Sequence, residues 1–537
     1  GYTKTQAQNL LYSGGLKIMT TQDPDIQNIV DEEYSDPSNY PDYVQYALDY
    51  ALTVKQPDGQ EVNYSKEMMK LYFQNEDPSF DLLFDSQDEG QTYVDRYKAN
   101  ILADGSTVVA ERVSFAPQPQ SAMTIIDQHT GYVKAIIGGR GTKTASLTLN
   151  RATDSTRQPG STFKIVSTYA AALNEKGMTL ATTYEDQPIT YDNGAPVNNA
   201  SGSFNGTTTI RTAIRNSVNT VAVQCFEDVT PELGLKYLDN FGFTTLAHGT
   251  EADTDANGNV YTDANLPTAL GGLTYGVKNV ELCAAYAAIA NGGNYIKPVY
   301  YTKILDHNGN VLIENNSVGR SVIKETTAYL LTSALEDVVQ NGTGTACQLD
   351  NMAVAGKTGT TDAYNDLWFV GYTPYYTCAV WSGYDGNQKI PEGDARNFHK
   401  TLWRKVMNRI HQGMEYKDFE VPDGIEQISI CADTGLLPRV GCPVTEEYFD
   451  VGTMPTEYCD QHFYEYDESQ DEDMEISDEN ATPTPDPENP DGTDNADGSG
   501  GDGTGGDGTG GDGTDGGDIQ YPDESGGDSG NDDIYYY

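Results

Sequence analysis

Ser161 stands three residues before Lys164 in the run Arg157-Gln158-Pro159-Gly160-Ser161-Thr162-Phe163-Lys164. If a helix begins here, the serine lies in its first turn. The lysine follows one turn later on the same face, which brings an amine within reach of a hydroxyl. A neutral lysine can take the hydroxyl proton and make the serine a nucleophile for acyl transfer. Lysine is ordinarily protonated at neutral pH, but burial and a second cation nearby each lower its pKa. Lys357 is the candidate for that cation. The helix N-terminus adds a positive field that favours negative charge developing beside the serine.

Alone, Ser-x-x-Lys is a weak signal, because ordinary residue frequencies give about one or two chance matches in a chain this long. Ser321-Val322-Ile323-Lys324 is read as such a match, a helix cap before a helical run from Thr326 to Val339. Ser217-Val218-Asn219 is also weak alone, since Ser203-Phe204-Asn205 and Ser529-Gly530-Asn531 share its form. Ser217 is set apart by its apolar neighbours Ile214, Val218, Val221 and Val223, although a residue closing a helix would look the same. Lys357-Thr358-Gly359-Thr360 occurs once and ends an apolar run, Met352 to Ala355. On an edge strand, Gly359 would let a ligand backbone approach. Lys357 and the hydroxyls of Thr358 and Thr360 would offer a cation and donors to a carboxylate. The bland alternative is a surface lysine in a hairpin.

These residues need a frame. Ala122 to Asp127 and Tyr132 to Ile137, separated by Gln128-His129-Thr130-Gly131, read as an antiparallel hairpin. Met352 to Ala355 leading into Lys357, Leu367 to Tyr372 and Tyr376 to Ser382 read as three further strands. Between them, Thr162 to Leu173, Glu281 to Asn291 and Thr326 to Val339 carry apolar residues near helical spacing. The expected fold class is α+β, an antiparallel sheet of about five strands with helices packed on it. The front of the chain mixes helical patches, Asp42 to Tyr50 and Lys66 to Phe73, with turn signals.

The 537 residues allow two or three domains. With 81 acidic against 32 basic residues and no basic patch, nucleic acid is disfavoured as a partner. No apolar run approaches the roughly 18 residues that cross a bilayer. The chain opens Gly1-Tyr2-Thr3 and is read as a fragment whose membrane anchor lies upstream. None of the seven cysteines forms a C-x-x-C pair or stands near clustered histidines, so zinc is disfavoured and no metal is expected. Cys225, Cys283, Cys347 and Cys378 read as structural thiols. Cys431, Cys442 and Cys459 lie in a loop-like stretch with room for one disulfide in an oxidising compartment. From about Tyr466 onward the chain is acidic and then Gly-rich, with Gly501-Asp502-Gly503-Thr504 recurring every five residues. Such a composition favours disorder.

The three short elements, in this order, resemble the active-site motifs of penicillin-binding proteins and serine β-lactamases. Asn150-Arg151-Ala152, the run around Ser161, Gly342-Thr343-Gly344, Ala355 to Thr361 and Asp366-Leu367-Trp368-Phe369-Val370-Gly371-Tyr372 look like class A, bifunctional penicillin-binding proteins. Ser13-Gly14-Gly15-Leu16-Lys17-Ile18 and Thr20-Thr21-Gln22-Asp23 resemble the linker after that family's glycosyltransferase domain. The resemblance covers about residues 10 to 35 and 120 to 460. It implies a linker over 1–35, a linker subdomain or insertion over 36–119, a transpeptidase domain over 120–420, a C-terminal extension over 421–465 and a disordered tail over 466–537. The glycosyltransferase domain, with its Glu-Asp-x-x-Phe motif, is expected to be missing.

By the same resemblance, the catalytic set is Ser161, Lys164, Ser217, Asn219 and Lys357, acting on a stem peptide that ends in D-Ala-D-Ala. Lys357, Thr358, Gly359 and Thr360 would bind the substrate, and the backbone N–H groups of Ser161 and Thr360 would form the oxyanion hole. The implied activity is D,D-transpeptidation without a cofactor, on the outer face of the cell membrane, with peptidoglycan stems and β-lactams as partners. A carboxypeptidase or β-lactamase would hydrolyse the same acyl-enzyme, and a β-lactam sensor would need no acceptor. A Ser-His-Asp hydrolase is disfavoured, because Gly-x-Ser-x-Gly is absent and the six histidines are scattered.

Overall fold

The computed structural model describes residues 2–102, 105–143 and 145–462; the expected acidic tail lies outside them. Five runs rich in β-branched and aromatic residues form the central strands: β1 (Gln120–Asp127), β2 (Tyr132–Ile137), β3 (Ala355–Thr360), β4 (Asp366–Tyr372) and β5 (Thr377–Gly383). They pair antiparallel throughout in the order β3-β4-β5-β1-β2, which leaves β3 at an edge. β4 and β5 are buried along their whole length, as strands covered on both faces must be. The helices that matter here are α1 (Pro24–Ser35), α2 (Ile210–Asn216), α3 (Asn219–Val229), α4 (Asn279–Ala290), α5 (Glu325–Asn341) and α6 (Phe398–Ile410). On one face Val30 and Tyr34 of α1 and Leu402, Trp403 and Val406 of α6 form a core with Phe369 and Val380. On the other, α4 and α5 pack with Trp368, Val370 and Trp381 and with the chain after Ser161. The result is a sheet between two helical layers.

The expected α+β class and five-stranded sheet hold, with strand ends shifted by a few residues. The third strand begins only at Ala355, so Met352 to Val354 lead into it rather than belong to it. Asp42 to Tyr50 is not helical: Gln45–Lys55 is one long strand, antiparallel to Thr107–Gln118. Leu48, Tyr50, Leu52 and Val54 bury every second side chain. A window ending at Tyr50 sees tyrosines at near-helical spacing and misses that alternation. Together with helices Lys66–Gln74 and Gln87–Ile101, these strands have a core of their own around Phe73, Phe84 and Tyr97. The letters Glu-Asp-x-x-Phe do occur here, as Glu76-Asp77-Pro78-Ser79-Phe80, contrary to expectation. They form a turn in which Glu76 pairs with exposed Arg96 and Asp77 accepts from Ser79.

After α6 comes a hairpin of β6 (Ile425–Cys431) and β7 (Val444–Asp450). Arg211 of α2 makes two 2.6 Å contacts with the buried Glu447 carboxylate and also reaches Ser333 of α5, tying the hairpin to the helical layer. Cys225, Cys283, Cys347 and Cys378 are buried free thiols. Cys431, Cys442 and Cys459 are also unpaired, and although no cluster of histidines stands near them they gather around one, His462. The hairpin supplies the proximity that sequence spacing conceals. Among the described residues no helix is long and apolar enough to cross a membrane.

Candidate active site

Ser161 sits in a single 3-10 turn, Gly160–Thr162, from which the chain runs into a π-helix, Lys164–Tyr169, and then a short α-helix, Ala170–Asn174. The expected helix is therefore present but wound unevenly, as often happens where a helix carries a functional side chain. The turn is clamped from several sides. Trp368 of β4 donates its indole N–H to Gln158 O at 2.8 Å, and the Gln158 amide exchanges hydrogen bonds with the backbone of Leu273. Tyr286 of α4 donates to Thr162 O at 2.7 Å, and Thr162 donates back to Pro159 O at 2.8 Å. Gly160 has φ +54°, and a Cβ there would lie 2.8 Å from Thr360 O and 3.0 Å from Thr360 N. Only glycine lets the two backbones meet so closely.

The space that a Cβ would need at Gly359 is taken by Pro159 O and Thr162 Cγ2, at 2.5 and 2.7 Å. The glycine there is thus required by the docking of the serine turn on β3, a requirement internal to the protein. The pleat places Lys357 and Gly359 on the face that meets this turn and Thr358 and Thr360 on the other. Thr358 Oγ1 lies 2.7 Å from Thr343 Oγ1 in the loop after α5, and Thr360 is exposed at the strand end. A carboxylate held by all three side chains would lie beyond the free edge of β3.

Lys164 is fully buried. Its Nζ lies 2.7 Å from Ser217 O, 2.5 Å from Asn219 Oδ1 and 3.3 Å from Ser217 Oγ. Ser217 ends α2 in a left-handed conformation, φ +57° and ψ +41°, so one residue both closes a helix and presents its hydroxyl to the cluster. A non-glycine residue there carries strain of order 1–3 kcal/mol, a cost typical of functional sites. Lys357, also fully buried, donates to Ser217 Oγ at 2.8 Å and to Thr358 O at 3.1 Å. Burial holds the Lys164 amine well below its usual pKa, and the nearby Lys357 charge pushes it the same way. Burial lowers Lys357 to about 7. A neutral amine has two hydrogens, and the two carbonyl oxygens around Lys164 accept both. Its lone pair is then left for a hydroxyl proton.

The sequence does not disclose what aims Asn219. Its side-chain NH2 donates to Asn198 O at 2.6 Å, which turns Oδ1 toward Lys164. Its backbone N–H donates to Asn199 Oδ1 at 2.8 Å. Asn199 in turn donates to buried Asp186, which also accepts from Thr220 Oγ1 at 2.5 Å and from Asn205 N at 2.8 Å. Asp186 ends a short strand, Thr183–Asp186, and Asn199 lies in an irregular segment, with no motif around either, so only the fold reveals their place. Ser203-Phe204-Asn205 serves this support through Asn205, and Ser529-Gly530-Asn531 lies outside the described residues. Ser321 and Lys324 are exposed. Lys324, rather than Ser321, occupies the N-cap of α5, and no side chain caps that helix.

Residues 121–408 match the family described as penicillin binding protein transpeptidase domain. Residues 421–464 match the family described as penicillin-binding protein 1A, C-terminal domain. The chain is 34% identical over 362 residues to penicillin-binding protein 1A of Clostridium tetani, a match that covers 64% of this chain and 45% of the relative. It spans 40–45% of the length of such curated clostridial relatives. Its fold is similar to that of penicillin-binding protein 1A from Haemophilus influenzae, with TM-score 0.60 and 20% identity over 85% of this chain and 75% of that one. It is also similar to that of the PonA1 protein from Mycobacterium tuberculosis in complex with penicillin V, with TM-score 0.55 and 22% identity over 77% and 91% of the two chains.

Proposed function

Because the chain belongs to the penicillin-binding protein transpeptidase family, we propose that it is a peptidoglycan D,D-transpeptidase with Ser161 as nucleophile. The observation that supports this reading above others is one chain of contacts, Lys164 Nζ to Ser217 Oγ to Lys357 Nζ, beside the serine turn. Ser161 Oγ attacks the carbonyl carbon of the penultimate D-Ala while its proton passes to Lys164. Backbone N–H groups of Ser161 and Thr360 stabilise the oxyanion, an interaction whose loss typically costs about a hundredfold or more in rate. The C–N bond to the terminal D-Ala breaks, and the departing nitrogen takes a proton from Lys164 through Ser217. With Lys164 and Lys357 both donating to Ser217 Oγ, the serine hydroxyl is left to point its own proton toward the departing nitrogen, the polarity this relay needs. An acceptor amine then attacks the ester, forms the cross-link and returns the proton to Ser161.

The terminal carboxylate is held at the edge of β3 by Lys357, Thr358 and Thr360, with Gly359 keeping the strand against the serine turn. We place the work on the outer face of the cell membrane, on stems of nascent glycan strands, with β-lactams as covalent mimics of the donor. Residues 120–420 carry this activity, and 421–465 form an extension. Incubation with uncross-linked peptidoglycan strands, followed by muropeptide analysis, tests the reading. Cross-linked dimers and an equal amount of free D-Ala are expected, both abolished by prior treatment with penicillin. Tetrapeptides with no dimers would mark a carboxypeptidase, and rapid release of hydrolysed penicillin would mark a β-lactamase.

A further inference from the structure

The end of the β6–β7 hairpin gathers four soft donors that the acyl-transfer chemistry does not use. Cys431 closes β6, Cys442 lies in the turn before β7, and Cys459 and His462 lie on the segment that returns beside Leu437. Their Sγ and imidazole nitrogen atoms all lie within 4.8 Å of one another. His462 Nδ1 is 3.5 Å from Cys431 Sγ and 3.4 Å from Cys459 Sγ. One ring nitrogen has one lone pair and cannot accept from two thiols at once. A shared cation satisfies both sulfurs and the nitrogen together. Zinc bonds of about 2.3 Å to sulfur and 2.0–2.1 Å to nitrogen, arranged tetrahedrally, place S and N about 3.5 Å apart.

The surroundings fit the same ion. His462 Nε2 lies 3.2 Å from Asp433 Oδ2, so Nε2–H donates to this carboxylate and Nδ1 keeps the lone pair for a metal, the outer-shell pairing usual for a metal-bound histidine. Arg439 N–H donates to Cys442 Sγ at 3.2 Å. Such a contact stabilises a thiolate. Cys431 and Cys459 are buried, while Cys442 and His462 are partly covered. A disulfide would engage two of the sulfurs and strand the third.

We propose that Cys431, Cys442, Cys459 and His462 form a tetrahedral structural zinc site that ties the C-terminal hairpin to the segment returning beside it. Four protein ligands close the coordination sphere, which makes the site structural rather than catalytic. Binding converts three thiols to thiolates and releases three protons, while the histidine binds neutral. The hairpin meets the body nearby: a Cβ on Gly435, four residues after Cys431, would lie 2.1 Å from Ala181 O, and Ile430 and Phe449 pack on Ala181.

The whole chain, reduced with a phosphine in metal-free buffer, loaded with zinc and desalted, should retain about one zinc per chain. Chelation should lower its melting temperature. Cys442→Ser and Cys459→Ser should lose stoichiometric zinc yet still be labelled by penicillin, which shows that they fold; Cys347→Ser should keep the metal. Reduced, folded protein that takes up no zinc would overturn the site, as would Cys459→Ser retaining a full equivalent. A chain two hydrogens lighter in mass that takes up no zinc after reduction would assign the sulfurs to a disulfide instead.

Discussion

Lys164→Met should slow acylation by β-lactams by about a thousandfold, the middle of the range for losing a general base. Methionine matches the lysine stem in length and apolar character and leaves the π-helix and its packing in place. What disappears is the lone pair that receives the Ser161 proton. Lys164→Arg separates base chemistry from charge, because a guanidinium keeps its proton at any relevant pH. It should be as slow as Lys164→Met, although it retains a cation beside Ser217 and Asn219. Stopped-flow or quenched labelling reads both rates, and near-normal acylation in the arginine variant would remove Lys164 from the base role. The three acceptors within 3.3 Å of Nζ make this side chain the most tightly held of the candidate residues.

Lys357→Ala should lower the second-order acylation constant by about a hundredfold, since a hydrogen bond to a charged group is worth about 1.5–3 kcal/mol and the Ser217 contact goes with it. It should also move a titration. Burial is the main cause of the low Lys164 pKa, and the Lys357 charge adds to it. Without that charge the Lys164 pKa rises, so the acid limb of the acylation profile moves to higher pH. Stability responds with a definite sign. A lysine at about 7 in the folded protein and near 10.4 unfolded binds its proton less readily when folded. Its contribution is complete above about pH 10 and is lost as pH falls toward 7. The wild type should therefore gain melting temperature relative to Lys357→Ala as pH rises from 7 to 10. A difference that is flat across this window would contradict the burial of a neutral amine.

Ser161, Lys164, Ser217, Asn219 and Lys357 could be named from the sequence because three short motifs, weak or ambiguous alone, occur in the order the family resemblance requires, and the fold brings Lys164, Ser217, Asn219 and Lys357 into contact. The sheet was legible because β1, β4 and β5 are buried on both faces and read as continuous apolar runs. What could not be read depends on contacts distant in the chain. Asp186, at the end of a short strand, and Asn199, in a loop, support Asn219 through three hydrogen bonds from segments that look like any other polar connection. Gly359 has a reason in Pro159, two hundred residues earlier, that its own neighbours in the sequence do not show. The strand over Gln45–Lys55 shows its period only when Leu52 and Val54 are included. Cys431, Cys442, Cys459 and His462 become one cluster only when β6 and β7 pair.

Mass spectrometry after treatment with labelled penicillin bears on the nucleophile itself. One adduct per chain is expected, located by peptide mapping on the segment that contains Ser161, long-lived in the wild type and absent from a folded Ser161→Ala variant. Label retained on Ser161→Ala, or mapped to a different serine in the wild type, would contradict the assignment.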